Sequence, residues 1–198
     1  HAGAGIGRIL RTMSESSAIH LFPGGSRPER QPRSLPHSEE AEQALLGSIL
    51  VDNRVLDRVS DYLRPEHFFY PAHARIFDAC LKLREQGRVA DTVTLRARFE
   101  QDGDLAQVGG GGYLTDLAAS VLSLSSAGDY ARMLFDLHLR RQLVTLGDEV
   151  AAEAVRPDAE ADGMGQIEST EERLYQLAST GTIGGDFKPF DIILDGAL

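Results

Sequence analysis

The clearest pattern of apolar and polar positions lies in residues 38–50, SEEAEQALLGSIL. Apolar side chains recur there with the three- and four-residue spacing of one helix face, at Ala41, Leu45, Leu46, Ile49 and Leu50. Ser38 is a favoured N-cap residue, and the glutamates that follow it suit the positive end of a helix dipole. Gly47 is a poor helix former, so its place in this strong pattern predicts the close approach of a neighbouring helix.

The same spacing predicts seven further helical segments. We expect them at about residues 53–63, 72–86, 91–103, 113–122, 129–156, 164–179 and 187–198. No segment has a convincing strand pattern. The predicted fold class is therefore all-α, with a small globular helical head followed by an αα-hairpin and the start of a linker helix.

Breaks in the pattern divide the chain into four parts. Residues 1–34 are expected to be a tag remnant, up to residue 12, and then a disordered arm rich in Ser, Pro, Gly and Arg. Residues 35–124 form the predicted head and residues 125–180 the predicted hairpin. Residues 181–198 are expected to be a glycine-rich joint and the start of a linker helix, in a chain that stops in mid-pattern.

Composition narrows the class of protein. The 198 residues are 42% hydrophobic and 25% charged, which is ordinary for a globular protein. The chain has neither an apolar run of membrane-spanning length nor a secretory signal pattern, so we expect a cytoplasmic protein with no membrane partner. The net charge of −10 is uneven, because residues 142–198 hold 12 acidic and three basic side chains. That acidic third argues against a surface that grips DNA phosphates.

The glycine run at residues 109–112 raises the question of a nucleotide site. A phosphate-binding Walker loop requires a Lys followed by a Ser or Thr directly after the glycines, and no lysine follows here. We interpret the run as a flexible turn. Cys80 lies in an apolar stretch and is expected to be a buried thiol, and the histidines lack metal-ligand spacing. The sequence therefore predicts no catalytic, cofactor-binding or metal-ligating residue.

The last segment has a different character. Phe190, Ile193 and Leu194 fall on one apolar stripe behind Gly181, Gly184 and Gly185. Such a helix either folds back on the head or docks on another subunit in a groove. We expect these three residues to dock the linker helix on a neighbour.

Four segments together carry a resemblance to a known family. They are LPHSEEAEQALLGSIL at residues 35–50, PEHFFYPAHARIF at 65–77, DTVTL at 91–95 and VGGGGYL at 108–114. In order and spacing they resemble the N-terminal domain of bacterial replicative DNA helicases of the DnaB type. The resemblance covers roughly residues 35–179, and residues from 187 onward are similar to the start of the family's linker helix.

The resemblance implies a function that helical spacing does not. The whole protein would be a ring hexamer that unwinds DNA at the replication fork, with DNA passing through the ring. It would use ATP and Mg²⁺ in a C-terminal motor domain that lies outside these 198 residues. The N-terminal domains would pair through their hairpins into a trimer-of-dimers collar and help recruit primase. A helicase loader is a further expected partner.

Within that picture the expected contact residues of the hairpin are Leu143, Val150, Leu174 and Leu177. The chain departs from the family at Gly111 and Gly112, where relatives often carry bulkier residues, so any contact of those side chains is lost. Two other classes of protein remain open at this point. One is a free-standing helical adaptor, like the helicase-binding domain of a primase, and the other is a small metal-dependent hydrolase that uses His67 and His73.

Overall fold

A computed structural model describes residues 34–121, 123–156 and 162–180. Within these residues the chain is helical and contains no strand, which confirms the predicted all-α class. The α-helices are α1 Glu39–Val51, α2 Arg54–Val59, α3 Pro71–Glu85, α4 Thr92–Asp102, α5 Gly110–Ala119, α6 Ala127–Ala154 and α7 Gly163–Thr180. Short 3₁₀ turns occupy Pro65–His67, Leu105–Val108 and Leu124–Ser126.

Side-chain caps fix where the helices of the head begin. The Ser38 hydroxyl accepts a hydrogen bond from the Ala41 amide at 3.2 Å and starts α1. The carboxylate of Asp91 accepts from the amide of Thr94 at 2.8 Å and starts α4. Gly103 ends α4 with a left-handed φ of 74°, a conformation that glycine adopts without strain.

Helices α2 and α5 differ most from the sequence prediction. Helix α2 ends at Val59, because the next residues form a turn that buries Leu63 directly before the Arg64–Pro65 peptide, where helix is disfavoured. Helix α5 begins at Gly110 rather than near residue 113. The glycine run is thus partly the first turn of a helix.

Helix α1 forms the centre of the head. Its predicted apolar stripe is buried against α5 and α6. A Cβ atom at Gly47 would lie well inside van der Waals distance of the Leu117 carbonyl oxygen and 2.9 Å from Cγ2 of Val121. The backbones of α1 and α5 therefore approach so closely that glycine is required there, as the sequence pattern predicted.

The head and the hairpin share α6. Ala131 and Leu134 in its first half are buried in the core of the head, whereas its second half pairs with α7. Cys80 is fully buried in the head, and burial raises the pKa of its thiol to about 12. No helix in the described ranges is both long and apolar enough to cross a membrane.

Candidate assembly and partner interface

Polar contacts join the two helices of the hairpin. The Gln166 side-chain amide donates to the Val150 carbonyl at 2.9 Å, and Arg173 forms an ion pair with Glu149. Residues 166, 170, 173 and 177 recur at helical spacing, and this stripe of α7 faces α6. The buried Leu146 supplies the apolar contact on the α6 side.

A neighbouring face of the hairpin exposes large apolar side chains. On α7, Met164, Ile167 and Leu174 lie at spacings of three and seven residues, which places them on one face. Tyr175 lies beside them with 70% of its surface exposed. Large apolar side chains grouped on one face of a protein usually mark a contact surface.

The structure separates the four predicted hairpin residues into two pairs. Leu143 and Leu174 are 49% and 44% exposed, so both are available to a partner. Val150 and Leu177 are half-buried, and Leu177 lines crevices between the hairpin helices and beside the head. The predicted linker residues Phe190, Ile193 and Leu194 lie outside the described residues.

Three exposed side chains of this surface, Met164, Ile167 and Tyr175, are not among the contact residues predicted from the sequence. The signal that could have found Met164 and Ile167 is present in the sequence. Apolar residues at 164, 167 and 174 follow one stripe, and 166, 170, 173 and 177 follow a second. A helix with two adjacent stripes has one face for its hairpin partner and another for a further contact.

Arg141 fastens the base of the hairpin to the head. Its guanidinium donates to the carbonyl oxygens of Pro36 at 2.9 Å and His67 at 2.7 Å. It also lies over the Phe69 ring, 5.8 Å from the centroid, while His37 stacks on that same ring at 4.2 Å. One side chain of α6 therefore holds the segment before α1 and the loop before α3.

Two histidines meet at this junction, although 70 residues separate them in the chain. The ring centroids of His67 and His138 lie 4.5 Å apart. Burial, and then the neighbouring His138, lower the pKa of His67 to about 4. Burial and the nearby Arg141 also lower the pKa of His138. Both rings are therefore neutral near pH 7.

The hydrogen bond of His67 bears on metal binding. Its Nδ1 atom accepts from the Arg64 amide at 3.1 Å, so in the neutral ring Nε2 carries the proton and has no lone pair to give a metal. Among the residues that the structure describes, no group of three or more His, Cys, Asp or Glu side chains could hold a metal ion. The His67–Arg64 hydrogen bond therefore favours a structural role for this ring.

His73 belongs to a separate buried network inside the head. Its Nδ1 donates to the Glu42 carboxylate at 2.6 Å, and its Nε2 shares a hydrogen bond with the Tyr113 hydroxyl at 2.5 Å. The same carboxylate accepts from the backbone amide of Phe69 at 2.6 Å and from that of Tyr70 at 3.3 Å. Every ring nitrogen is occupied, so the network joins α1, α3 and α5 and has a structural role.

The glycine run positions Tyr113 in this network. Gly109 and Gly110 have φ values of 88° and 82°, in the left-handed region that favours glycine. A Cβ at Gly111 would lie 3.1 Å from the Arg96 side chain, whereas a Cβ at Gly112 would meet no atom within 4 Å. Of these two positions, only Gly111 is thus crowded in this fold.

Comparison with known proteins agrees with these features. The family described as the DnaB-like helicase N terminal domain matches residues 34–136. Replicative DNA helicase DnaB of Rickettsia conorii is 38% identical over 167 residues, which cover 84% of this chain and 34% of that protein. The Geobacillus stearothermophilus helicase is 34% identical over 80% of this chain and 34% of its own length. The chain thus spans about a third of these relatives.

Two solved structures share the fold. The N-terminal domain of DnaB helicase from Mycobacterium tuberculosis superposes with a TM-score of 0.65 at 31% identity, over 72% of this chain and 99% of that one. A DnaB-like replicative helicase, described together with its interactions with primase, gives a TM-score of 0.59 at 28% identity, over 71% of this chain and 31% of that one. The chain belongs to the DnaB-like helicase N-terminal domain family.

Proposed function

We propose that this chain is the N-terminal collar module of a hexameric replicative DNA helicase and that it pairs with a second copy of itself through the hairpin. The observation that carries this proposal is the exposed apolar face of the hairpin, on which Leu143 and Leu174 leave about half of their surface in water. In a twofold interface each of these residues contributes twice, once from each copy. Four leucine side chains are then removed from water.

The size of that effect makes the pairing testable. Burying the exposed half of one leucine contributes about 1 kcal/mol, so the double substitution Leu143→Ser with Leu174→Ser should weaken the dimer on the order of 100-fold or more. Sedimentation equilibrium over a wide range of concentration measures this change. Val93→Ser is the matched control, because Val93 is 73% exposed but lies on α4 of the head.

The outcomes separate clearly. A dimer lost in the hairpin variant and retained in Val93→Ser supports pairing through this face. A hairpin variant that dimerises as tightly as the parent chain would overturn it. A helical circular dichroism spectrum equal to that of the parent chain shows that the variant is folded.

The second part of the proposed function is recruitment of primase by the collar. In the described part of the hairpin, residues 142–156 and 162–180, seven acidic side chains accompany two basic ones. This charge favours a basic protein partner over nucleic acid. The likeness to a helicase described with its interactions with primase supports the choice of primase.

Calorimetric titration with the C-terminal domain of the same organism's primase tests recruitment. We expect saturable binding that weakens as salt rises, because exposed charges are screened. Charge reversal at Glu168 and Glu171 on α7 should weaken it further. Reversal at Asp116 on α5 and Glu85 on α3, two exposed positions of the head, makes the same change in net charge and is the control. A titration without heat or saturation, made with the assembled collar, would exclude recruitment by this module.

The rest of the proposal concerns the whole protein. A motor domain beyond this chain would use ATP and Mg²⁺ to unwind DNA passing through the ring, and a loader would place the ring on DNA. The linker stripe at Phe190, Ile193 and Leu194 would dock on the neighbouring motor. Phe190→Ala with Leu194→Ala should weaken the full-length hexamer, as measured by mass photometry, and unchanged hexamer stability would contradict this docking.

A further inference from the structure

A cleft of about 560 Å³ opens where the head meets the hairpin. Tyr62 lines it from the turn after α2, Phe135 and Leu139 from α6, and Leu177 from α7. The Tyr62 and Phe135 rings meet edge to face with their centroids 6.5 Å apart. The remaining lining residues are polar or charged, among them His67, His138 and Gln142. The volume and these four aromatic and aliphatic side chains suit an aromatic group.

The rim of the cleft carries negative charge. Asp61 and Glu66 lie on it, and both are exposed. Arg64 also lines the cleft, and its guanidinium donates to carbonyl oxygens of its own loop, at 2.6 Å to Ser60 and 2.9 Å to Leu63. Its positive charge offsets one of the two carboxylates, so the charge of the rim remains net negative. An occupant that suits both the walls and the rim therefore combines aromatic rings with a positive charge.

The chain itself supplies such a segment near the cleft. Helix α7 ends at Thr180, three residues after Leu177, which lines the cleft. Residues 187–190 read FKPF, which places Lys188 between two aromatic residues. Phe187 is the seventh residue after the end of α7, and seven residues span up to about 23 Å when extended. Three of the six residues between them are glycines, which permit a reversal of chain direction.

From this complementarity we infer that the FKPF segment of residues 187–190 docks in the cleft of its own chain. A phenyl ring packs on Tyr62 and Phe135, and the Lys188 ammonium lies at the rim formed by Asp61 and Glu66. The same docking covers Phe190, which belongs to the stripe proposed to hold the neighbouring motor. Docking in the same chain is then an autoinhibitory contact that competes with assembly. The competition rests on the proposed function, whereas the docking does not.

The absence of tryptophan from the chain makes the test direct. Phe190→Trp introduces one indole, whose emission and quenching by acrylamide report its burial. We expect blue-shifted emission and severalfold weaker quenching than in the urea-unfolded chain. Both should be independent of protein concentration. Emission and quenching equal to those of the unfolded chain would overturn the docking.

Charge reversal at the rim tests the location. Asp61→Lys with Glu66→Lys, added to Phe190→Trp, should shift the emission to the red and restore quenching. Asp116→Lys with Asp148→Lys makes the same change in net charge at exposed positions of α5 and α6 and should leave the indole buried. An indole that stays buried in the rim variant would show that this cleft is not the site.

The dependence of the indole emission on protein concentration distinguishes docking within one chain from docking on a second copy. Repeating the measurement with Leu143→Ser and Leu174→Ser removes the proposed hairpin dimer without touching the cleft. A blue shift that disappears on dilution or in this background would mean that a second copy holds the segment, which overturns docking within one chain. A shift that persists there supports it even if the hairpin proves not to pair.

Discussion

The Nδ1 atom of His73 lies 2.6 Å from the Glu42 carboxylate, and both side chains are buried in the head. Glu42 comes from α1 and His73 from α3, 31 residues later. The carboxylate also accepts hydrogen bonds from the backbone amides of Phe69 and Tyr70. The two oxygens of the Glu42 carboxylate thus accept hydrogen bonds from three donors that would otherwise be buried without a partner.

Removing this carboxylate should destabilise the head strongly. Glu42→Ala leaves two amides and one imidazole without an acceptor, and we expect a loss of about 3–5 kcal/mol in the free energy of unfolding. Urea denaturation measures it. Glu40→Ala, two residues before it in an exposed position, should change stability by less than about 0.5 kcal/mol. Equal losses in the two variants would contradict the assigned role of Glu42.

The histidine pair at the base of the hairpin predicts a pH dependence. Because the pKa of His67 is lowered to about 4, the unfolded chain binds the proton more readily between about pH 6.5 and 4. The contribution to stability is therefore complete above pH 6.5 and is lost as pH falls toward 4. His67→Asn keeps an acceptor for the Arg64 amide but does not titrate.

The comparison of these two proteins isolates the histidine from the carboxylates that titrate in the same range. Between pH 7 and pH 4.5 the parent chain should lose about 2 kcal/mol more unfolding free energy than His67→Asn. Urea midpoints at four or five pH values give the two curves. Parallel curves would show that His67 titrates normally in the folded chain.

Two glycines in helices should respond to alanine with opposite signs. Gly47→Ala forces a Cβ into the Leu117 carbonyl and should cost about 2–4 kcal/mol as α1 and α5 separate. Gly147→Ala in α6 meets no atom within 4 Å and should stabilise by about 0.5–1 kcal/mol, because alanine is the better helix former. Thermal unfolding followed by circular dichroism gives both values. A tolerated Gly47→Ala would disprove the close approach of the two helices.

Alanine substitutions of two neighbouring arginines of α6 should also differ in their effect on stability. Arg141→Ala removes the hydrogen bonds to Pro36 and His67, and we expect a loss of about 2 kcal/mol together with faster amide exchange before α1. Arg140→Ala removes an exposed ion pair with Asp136, which contributes at most about 0.5 kcal/mol. Hydrogen-exchange mass spectrometry with a denaturation curve tests the pair. Similar exchange in both variants would exclude Arg141 as the fastening residue.

Local sequence signals predicted most of the fold because each acts within a few residues. The stripe of α1, the Ser38 and Asp91 caps and the Gly103 stop all depend on neighbours one or two turns away. The contacts of His67 with His138 and of Glu42 with His73 depend on tertiary packing between segments distant in sequence. No spacing rule could have paired them.

The candidate surface was predictable only in part for the same reason. Helical spacing shows that α7 has apolar stripes, but only packing shows that Leu177 turns toward the head and Leu174 toward solvent. The start of α5 was misplaced because glycines are poor helix formers, and here the first turn is held by Tyr113 and the helices around it.

Helix α6 is a single 28-residue rod, which is about 42 Å long and has no proline within it. Its first half is fixed among the core side chains of the head, and its second half carries the face proposed to meet a second copy. A force on the tip of the hairpin is therefore transmitted along α6 to the head. It would turn the head about the contacts that Arg141 makes with it. When a ring of such modules opens or closes, each head would then rotate together with its hairpin, because the continuous helix α6 does not bend between them.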